Sequence, residues 1–210
     1  MAMTPHTVIP DEHYTSTGLS HRKLLMWIFL GSECLFFGSL IATHMVNRGK
    51  AALLHGESPA CLLDIPITST STFVLLMSSV MMVLAVSSAE RGKLGSMRFW
   101  LFMTALLGSG FLLFQVYEFN LFVDEGLTIG TNLFGSTFFT LTGFHGTHVT
   151  IGVIWLLSIL AISFIRPDMV KNPLNVDIAG LYWHFVDIVW IVIFTVVYLV
   201  GRLGVECAGA

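Results

Sequence analysis

Long apolar runs, broken by short stretches rich in Gly, Pro and charge, dominate the chain. A helix that crosses the hydrocarbon of a bilayer needs about 20 mostly apolar residues. Five segments meet that length, at 24–46, 67–89, 98–122, 133–165 and 176–201. The fourth is longer than a span, so it is expected to tilt or to project beyond the hydrocarbon. The connections read NRGKAALLHGESPACLLDIP, ERGKLGSM, DEGLTIGTN and RPDMVKNPLN. Their brevity predicts one bundle rather than two domains. The pattern therefore predicts an all-α integral membrane bundle of five transmembrane helices, with a polar arm at 1–22, the bundle at 23–203 and a short tail at 204–210.

Composition agrees with that pattern. Hydrophobic residues make up 55% of the 210 and charged residues only 11%, where a soluble domain carries about 25% charged. The net charge of −3 offers no basic surface for nucleic acid. Cys34, Cys61 and Cys207 form no CxxC, and their odd number points to neither a disulfide framework nor a thiolate metal site. The first twenty residues contain no Lys or Arg and no apolar core, so they do not read as a secretory signal. Basic loop residues mark the inner side of a membrane protein. Arg22, Lys23, Arg91, Lys93, Arg98, Arg166 and Lys171 fall on one side, and Arg48, Lys50 and Arg202 on the other. The N-terminus is therefore expected inside and the C-terminus outside.

Polar groups within the runs are the candidate chemistry. Glu33 is the only charge between Leu24 and Ala42, and a charge at the bilayer centre costs about 2.5 to 3.5 kcal/mol on insertion scales. Counting about 1.5 Å per residue places Glu33, His184 and Asp187 together near mid-depth. The same count places Gln115, Glu118, His145 and His148 nearer the outer face, which predicts two polar layers. The pairs Gln115/Glu118, His145/His148 and His184/Asp187 are each three apart, so each shares a helix face that is better turned to protein than to lipid. Two readings stand for each. Glu33 is a proton-coupling residue or a carboxyl held by a neighbouring helix or head group. His184 and Asp187 are a protonatable pair or a structural one. His145 and His148 could share a metal ion only with further ligands, and His184 lies at the wrong depth, so helix or lipid contacts fit them better and no metal site is expected. Gly31, Ser32, Gly38, Ser39, Gly108 and Gly110 are read as devices for close helix approach. Trp27, Trp100 and Trp183 are placed near the inner interface.

Four stretches, SECLFFGSL (32–40), FLLFQVYEF (111–119), FHGTHVTIG (144–152) and WHFVDIVWIVIFTVVYLVG (183–201), occur in that order. Together they resemble subunit III of the haem-copper terminal oxidases, over about Leu24 to Leu203. The FHGxHVxIG and WHFVDxVW stretches carry most of the resemblance. It implies the five-helix form of a bundle that otherwise has seven, found in bacterial cytochrome c oxidases and quinol oxidases. Asp177 stands where longer relatives have a glutamate. The resemblance further implies no haem or copper on this chain, with both held by subunits I and II. It implies phospholipid binding, packing on subunit I, and support of proton uptake and of active-site stability during oxygen reduction. Glu33 matches the family's intramembrane glutamate, and Glu118, His145, His148, His184 and Asp187 match its other polar positions. Gln115 lies in the FLLFQVYEF stretch, and Arg166 is a further candidate for a lipid or helix contact at the inner face. The place implied is a prokaryotic plasma membrane, within an oxidase and its larger respiratory assemblies.

Other readings differ in donor or class. The donor is cytochrome c, or quinol in the alternative. A relative associated with nitric oxide reductase has a similar bundle, but FHGTH and the long WHFVD stretch fit the oxidase form better. A proton-coupled transporter would show inverted repeats or broken helices, and the chain has no paired Gly/Pro interruptions. No nucleophile and base converge to suggest an independent enzyme.

Overall fold

The computed structural model describes residues 18, 20–47, 65–170 and 172–202. The arm up to residue 17, the tail at 204–210, most of the first connection, Cys61 and Cys207 lie outside the described residues. The helices are α1 (His21–Asn47), α2 (Ile65–Glu90), α3 (Leu94–Asp124), α4 (Leu133–Ile165) and α5 (Leu174–Ile193). A π-helical turn (Phe194–Leu199) and a last turn (Val200–Arg202) carry α5 on. All five are long and apolar enough to cross a membrane, and each matches a predicted segment to within a turn.

Helices are the form that the solvent dictates, because hydrocarbon offers no partner for a bare peptide group. The hydroxyls follow the same rule. Ser32 donates to Phe29 O, Thr43 to Ser39 O and Ser158 to Ile154 O, all within their own helices. These lipid-facing polar groups thus need no outside partner.

Two turns show how tight connections are closed. At the end of α2, Gly92 has φ +68°, Gly92 N–H donates to Ala89 O and Lys93 N–H to Ser88 O. At the end of α3, Gly126 has φ +84°, Gly126 N–H donates to Val123 O and Leu127 N–H to Phe122 O. Both are Schellman caps, whose left-handed residue favours glycine. Leu127 and Phe122 are both buried, supplying the apolar contact that accompanies the second. At the start of α4, Asn132 Oδ1 accepts the Gly135 N–H at 2.7 Å, an N-cap.

Around the bundle the order is α1, α4, α3, α2, α5. Helix α5 closes back on α1 and also touches α4. The apolar window of α5 is 56% buried and that of α1 only 11%. Helix α5 is thus the inner helix and α1 the outermost. The starts of α1, α3 and α5 meet the ends of α2 and α4 at one basic end. There Lys23 Nζ lies 2.7 Å from Asp177 Oδ2. Arg98 Nε donates to Ser163 Oγ, a second donor reaches Ser163 O, and the guanidinium lies over the Phe164 ring.

Trp183 is where the structure departs from the sequence reading. It is not an interface aromatic but is 1% exposed in the core. Its ring fills the space left by two glycines, Gly108 on α3 and Gly152 on α4. A Cβ on Gly108 would lie 2.5 Å from Trp183 Cη2, and one on Gly152 2.9 Å from Cζ3. Gly31 and Gly38, by contrast, have nothing within 4 Å of an added Cβ. They line an open face of α1 instead of a helix contact within the chain. Gly108→Ala is expected to lower unfolding stability by about 1 to 3 kcal/mol, the usual effect of overpacking, whereas Gly38→Ala stays within about 0.5 kcal/mol. Denaturant titration of the detergent-solubilised protein checks the contrast.

Candidate functional site

Three sets of interior polar groups join the helices around the candidate residues. The first joins α2 to α5. Hydroxyls at 68, 72, 78 and 79 run along one side of α2 at helical spacing. Trp190 Nε1 donates to Thr72 Oγ1 at 2.9 Å, and Trp183 Nε1 donates to Ser78 Oγ at 3.0 Å. Ser79 Oγ lies 2.6 Å from His184 Nδ1 and is also hydrogen-bonded to Asp187. His184 and Asp187 are therefore brought together through Ser79 rather than to each other. Asp187 is 5% exposed, and its Oδ1 has no partner among the described residues.

The second set joins α2, α3 and α5 at the end opposite the basic one. Thr68 Oγ1 donates to Glu118 Oε1 at 2.6 Å. Tyr198, on the π-helical turn, is hydrogen-bonded to Glu118 and Thr68. The turn widens the helix by a residue and so aims Val197 and Tyr198 inward, both fully buried. Glu118 is 5% exposed and held from two helices. Gln115, one turn earlier, donates from Nε2 to Thr142 O at 2.8 Å.

The third set answers what Glu33 does. Glu33 Oε2 lies 3.3 Å from His148 Nε2, with both side chains under one-fifth exposed. His148 Nδ1 lies 2.8 Å from Phe144 O. A carbonyl only accepts, so Nδ1 carries a hydrogen. With Nδ1 so committed, the contact between Nε2 and Oε2 is a hydrogen bond only if one proton sits between them. Either imidazolium meets carboxylate, or neutral imidazole meets carboxylic acid. The pair is neutral in both arrangements, which suits a place inside a membrane. Tyr182 OH donates to His148 O at 3.0 Å and ties α5 to the same spot.

This third set corrects the depth count from the sequence. His148 stands level with Glu33 on α1, not in an outer layer with Glu118. His145 stands elsewhere, at 0% exposure. Its ring stacks on Trp190 at 4.9 Å and meets Phe111 and Phe37 edge-on. Of the two contacts open to His145, lipid or helix, the structure takes helix. Arg166 is exposed and caps α4, its N–H donating to Ile162 O at 2.7 Å. Sequence reasoning missed Ser78, Ser79, Thr68, Thr72 and Tyr198. The i, i+4 spacing of Thr68 and Thr72, continued by Ser79 seven residues on, is the signal that could have found the α2 row. Among the described residues no three His, Cys, Asp or Glu side chains converge to hold a metal ion.

The architecture defines a class: a multi-pass, all-helical membrane protein whose intramembrane polar groups lie at separate places between helices. Comparison with known proteins makes it specific. The model of the family "Cytochrome c oxidase subunit III" matches residues 11–202. Cytochrome c oxidase subunit 3 of Bacillus sp. strain PS3 is 39% identical over 195 residues, 93% of each chain. Quinol oxidase subunit 3 of Bacillus spizizenii is 42% identical over 93% of this chain and 94% of its own. Cytochrome bo(3) ubiquinol oxidase subunit 3 of Pseudomonas aeruginosa is 38% identical over 94% of each. The chain belongs to the cytochrome c oxidase subunit III family.

The shared proton separates two substitutions at Glu33. Glu33→Gln keeps a donor for His148 Nε2 and is expected to stay within about 1 kcal/mol of the native stability. Glu33→Leu strands the imidazole and is expected to lower stability by about 1 to 3 kcal/mol. Chemical denaturation of both variants in detergent checks this.

Proposed function

We propose that the chain is an accessory, non-redox subunit of an aerobic cytochrome c oxidase. In this reading it packs on subunit I, and haem and copper reside in subunits I and II. Its N-terminus lies inside the prokaryotic plasma membrane and its C-terminus outside. One observation carries the reading beyond family membership. Intramembrane carboxyl and imidazole groups sit at separate places instead of converging, Glu33 with His148, Glu118 with Thr68 and Tyr198, His184 with Ser79, and His145 among aromatic rings. Such a chain supports a neighbour's chemistry rather than conducting its own.

Within that role, Glu33 and His148 support proton uptake by holding one exchangeable proton at mid-depth. Oxidase carrying Glu33→Gln is expected to lose oxygen-uptake activity faster during turnover than the native complex, with reduced cytochrome c as donor. Unchanged decay and unchanged proton-uptake rate would remove the coupling role. Turnover on a quinol but not on cytochrome c would assign the complex to the alternative donor.

Phospholipid is proposed at the basic end. A cavity of about 190 Å³ there is lined by Arg22 and Asn175 at its polar side and by Trp155, Ile159, Ile162 and Ile178 along its apolar wall. A cation beside an apolar groove suits a phosphate with its acyl chain. A basic residue near an anionic lipid contributes about 1 kcal/mol. Arg22→Ala is accordingly expected to weaken retention of one anionic phospholipid by about five-fold. Native mass spectrometry of the complex in a delipidation series measures it, and equal retention would dismiss the site.

A further inference from the structure

At the basic end of the bundle a notch of about 320 Å³ separates α2 from α5. Its mouth is marked by Glu90, the last residue of α2, and by Asp177 in the first turn of α5. Ser87, Val83 and Leu181 line its walls, and His184 stands at its deep end. Seven residues separate Asp177 from His184, about 10 Å of helix. At about 30 Å³ per molecule the notch has room for about ten waters.

His184 is half-buried and spends one ring nitrogen inward, with Nδ1 at 2.6 Å from Ser79 Oγ. Its Nε2 bonds to no described residue and is not enclosed. Ser79 is also hydrogen-bonded to Asp187. A carboxylate only accepts, so Ser79 gives its hydrogen to Asp187 and takes one from His184 Nδ1. Nε2 is then a bare acceptor facing the notch. The same row has a second arrangement that holds one proton more. Nε2 gains a proton, Nδ1 passes its own to Ser79 Oγ, and the Ser79 hydrogen moves to the Asp187 carboxylate. Imidazole, hydroxyl and carboxylic acid are then all neutral, which suits the interior of a membrane. Only hydrogens move between the two arrangements.

The geometry points to an aqueous inlet: water in the α2–α5 notch brings a proton from the inner side to His184 Nε2, and Ser79 hands one on to Asp187, which stores it. This deepens the proton-uptake reading above and rests on its orientation, with the basic end inside. Water is the occupant that the lining selects. Carboxylates at the mouth and a hydroxyl at Ser87 hydrogen-bond to water, whereas an acyl chain offers His184 Nε2 nothing. The charged groups around His184 fit an entry for protons. Glu90 lies on α2, Asp177 is paired with Lys23 of α1 at 2.7 Å, and Asp187 lies one turn deeper on α5. Glu33 and His148 meet α5 on another face, at Tyr182, and take no part in this row.

Two measurements on the intact complex test the inlet. The first asks whether the notch holds water. With Cys34, Cys61 and Cys207 replaced by serine, Val83→Cys and Leu181→Cys are exposed to a membrane-impermeant thiol reagent in vesicles of either orientation. Both are expected to react from the inner side, while Leu157→Cys, 43% exposed on α4 at a similar depth, does not. Failure of both notch cysteines to react means lipid or another helix fills the notch and overturns the inference, as does reaction from the outer side alone. The second follows the stored proton. The infrared difference between native oxidase and Asp187→Asn is expected to contain a carboxylic acid band that shifts on transfer into heavy water. Removing a positioned proton-transfer group costs about 100-fold or more in rate. Ser79→Ala is therefore expected to slow that shift by about 100-fold, and Ser79→Thr, which keeps the hydroxyl, to restore it. Val83→Phe, which plugs the notch and leaves the row intact, is expected to slow it likewise. No such band, or equal exchange in native, Ser79→Ala and Val83→Phe complexes, would overturn the inference. Neither readout passes through Glu33 or oxygen uptake, so the inlet can fail while the oxidase-subunit reading stands.

Discussion

The bundle depends on the rule that a polar hydrogen in hydrocarbon needs an acceptor from protein. Helix α5 carries two indoles and an imidazole inward, and α2 answers with Thr72, Ser78 and Ser79. Each such contact is modest, about 0.6 to 2 kcal/mol between membrane helices, but the row fixes register. A slide of α5 along α2 by one turn, in either direction, would set Trp183 and His184 against apolar residues in place of Ser78 and Ser79. Apolar packing alone would not forbid that slide, because lipid tails are as apolar as leucine. The glycine sockets on α3 and α4 add a steric version of the same lock. Trp183 fits only where Gly108 and Gly152 both lack a side chain.

How much of this was legible in the sequence follows from which signals are one-dimensional. Span length and Gly-marked turns are local, so the five helices and their limits could be read directly. Partner choice is not local. Counting from the chain's basic residues placed His148 far from Glu33, because the count took every helix as upright and starting at the same level. Helix α4 has 33 residues, longer than the hydrocarbon is thick, so tilt and overhang absorb the difference. The polar positions themselves were found, and the family resemblance named them, but which helix each one answers to required three dimensions.

Glycine and tryptophan show the same limit. GS at 31–32 and again at 38–39 looks like a packing motif, yet no atom of the described chain approaches it. Gly152 drew no notice inside FHGTHVTIG, yet it receives an indole. A glycine reports only that a side chain is missing, and the large residue that uses the gap decides its meaning. Trp183 was placed at the interface by its distance from the helix start. Its indole N–H had a hydroxyl to reach deeper in, and an enclosed ring with a bonded N–H is better placed than one left half in lipid.

The separation of polar groups bears on function in a way that the fold alone does not. A catalytic or metal centre needs several donors on one point, and each donor drawn to that point leaves a helix contact unmade elsewhere. Glu118 is held by Thr68 and Tyr198, and His184 by Ser79, so bringing them onto one ion would open the α2–α5 and α3–α5 seams. Glu33 and His148 are the exception in kind, because their bond contains a proton that can sit on either atom without changing the charge of the pair. A neutral pair of that sort persists in a membrane, where a lone charge would be costly. Gln115 follows the same rule as the others, since its Nε2 donates to Thr142 O and so ties α3 to α4 rather than serving a common point.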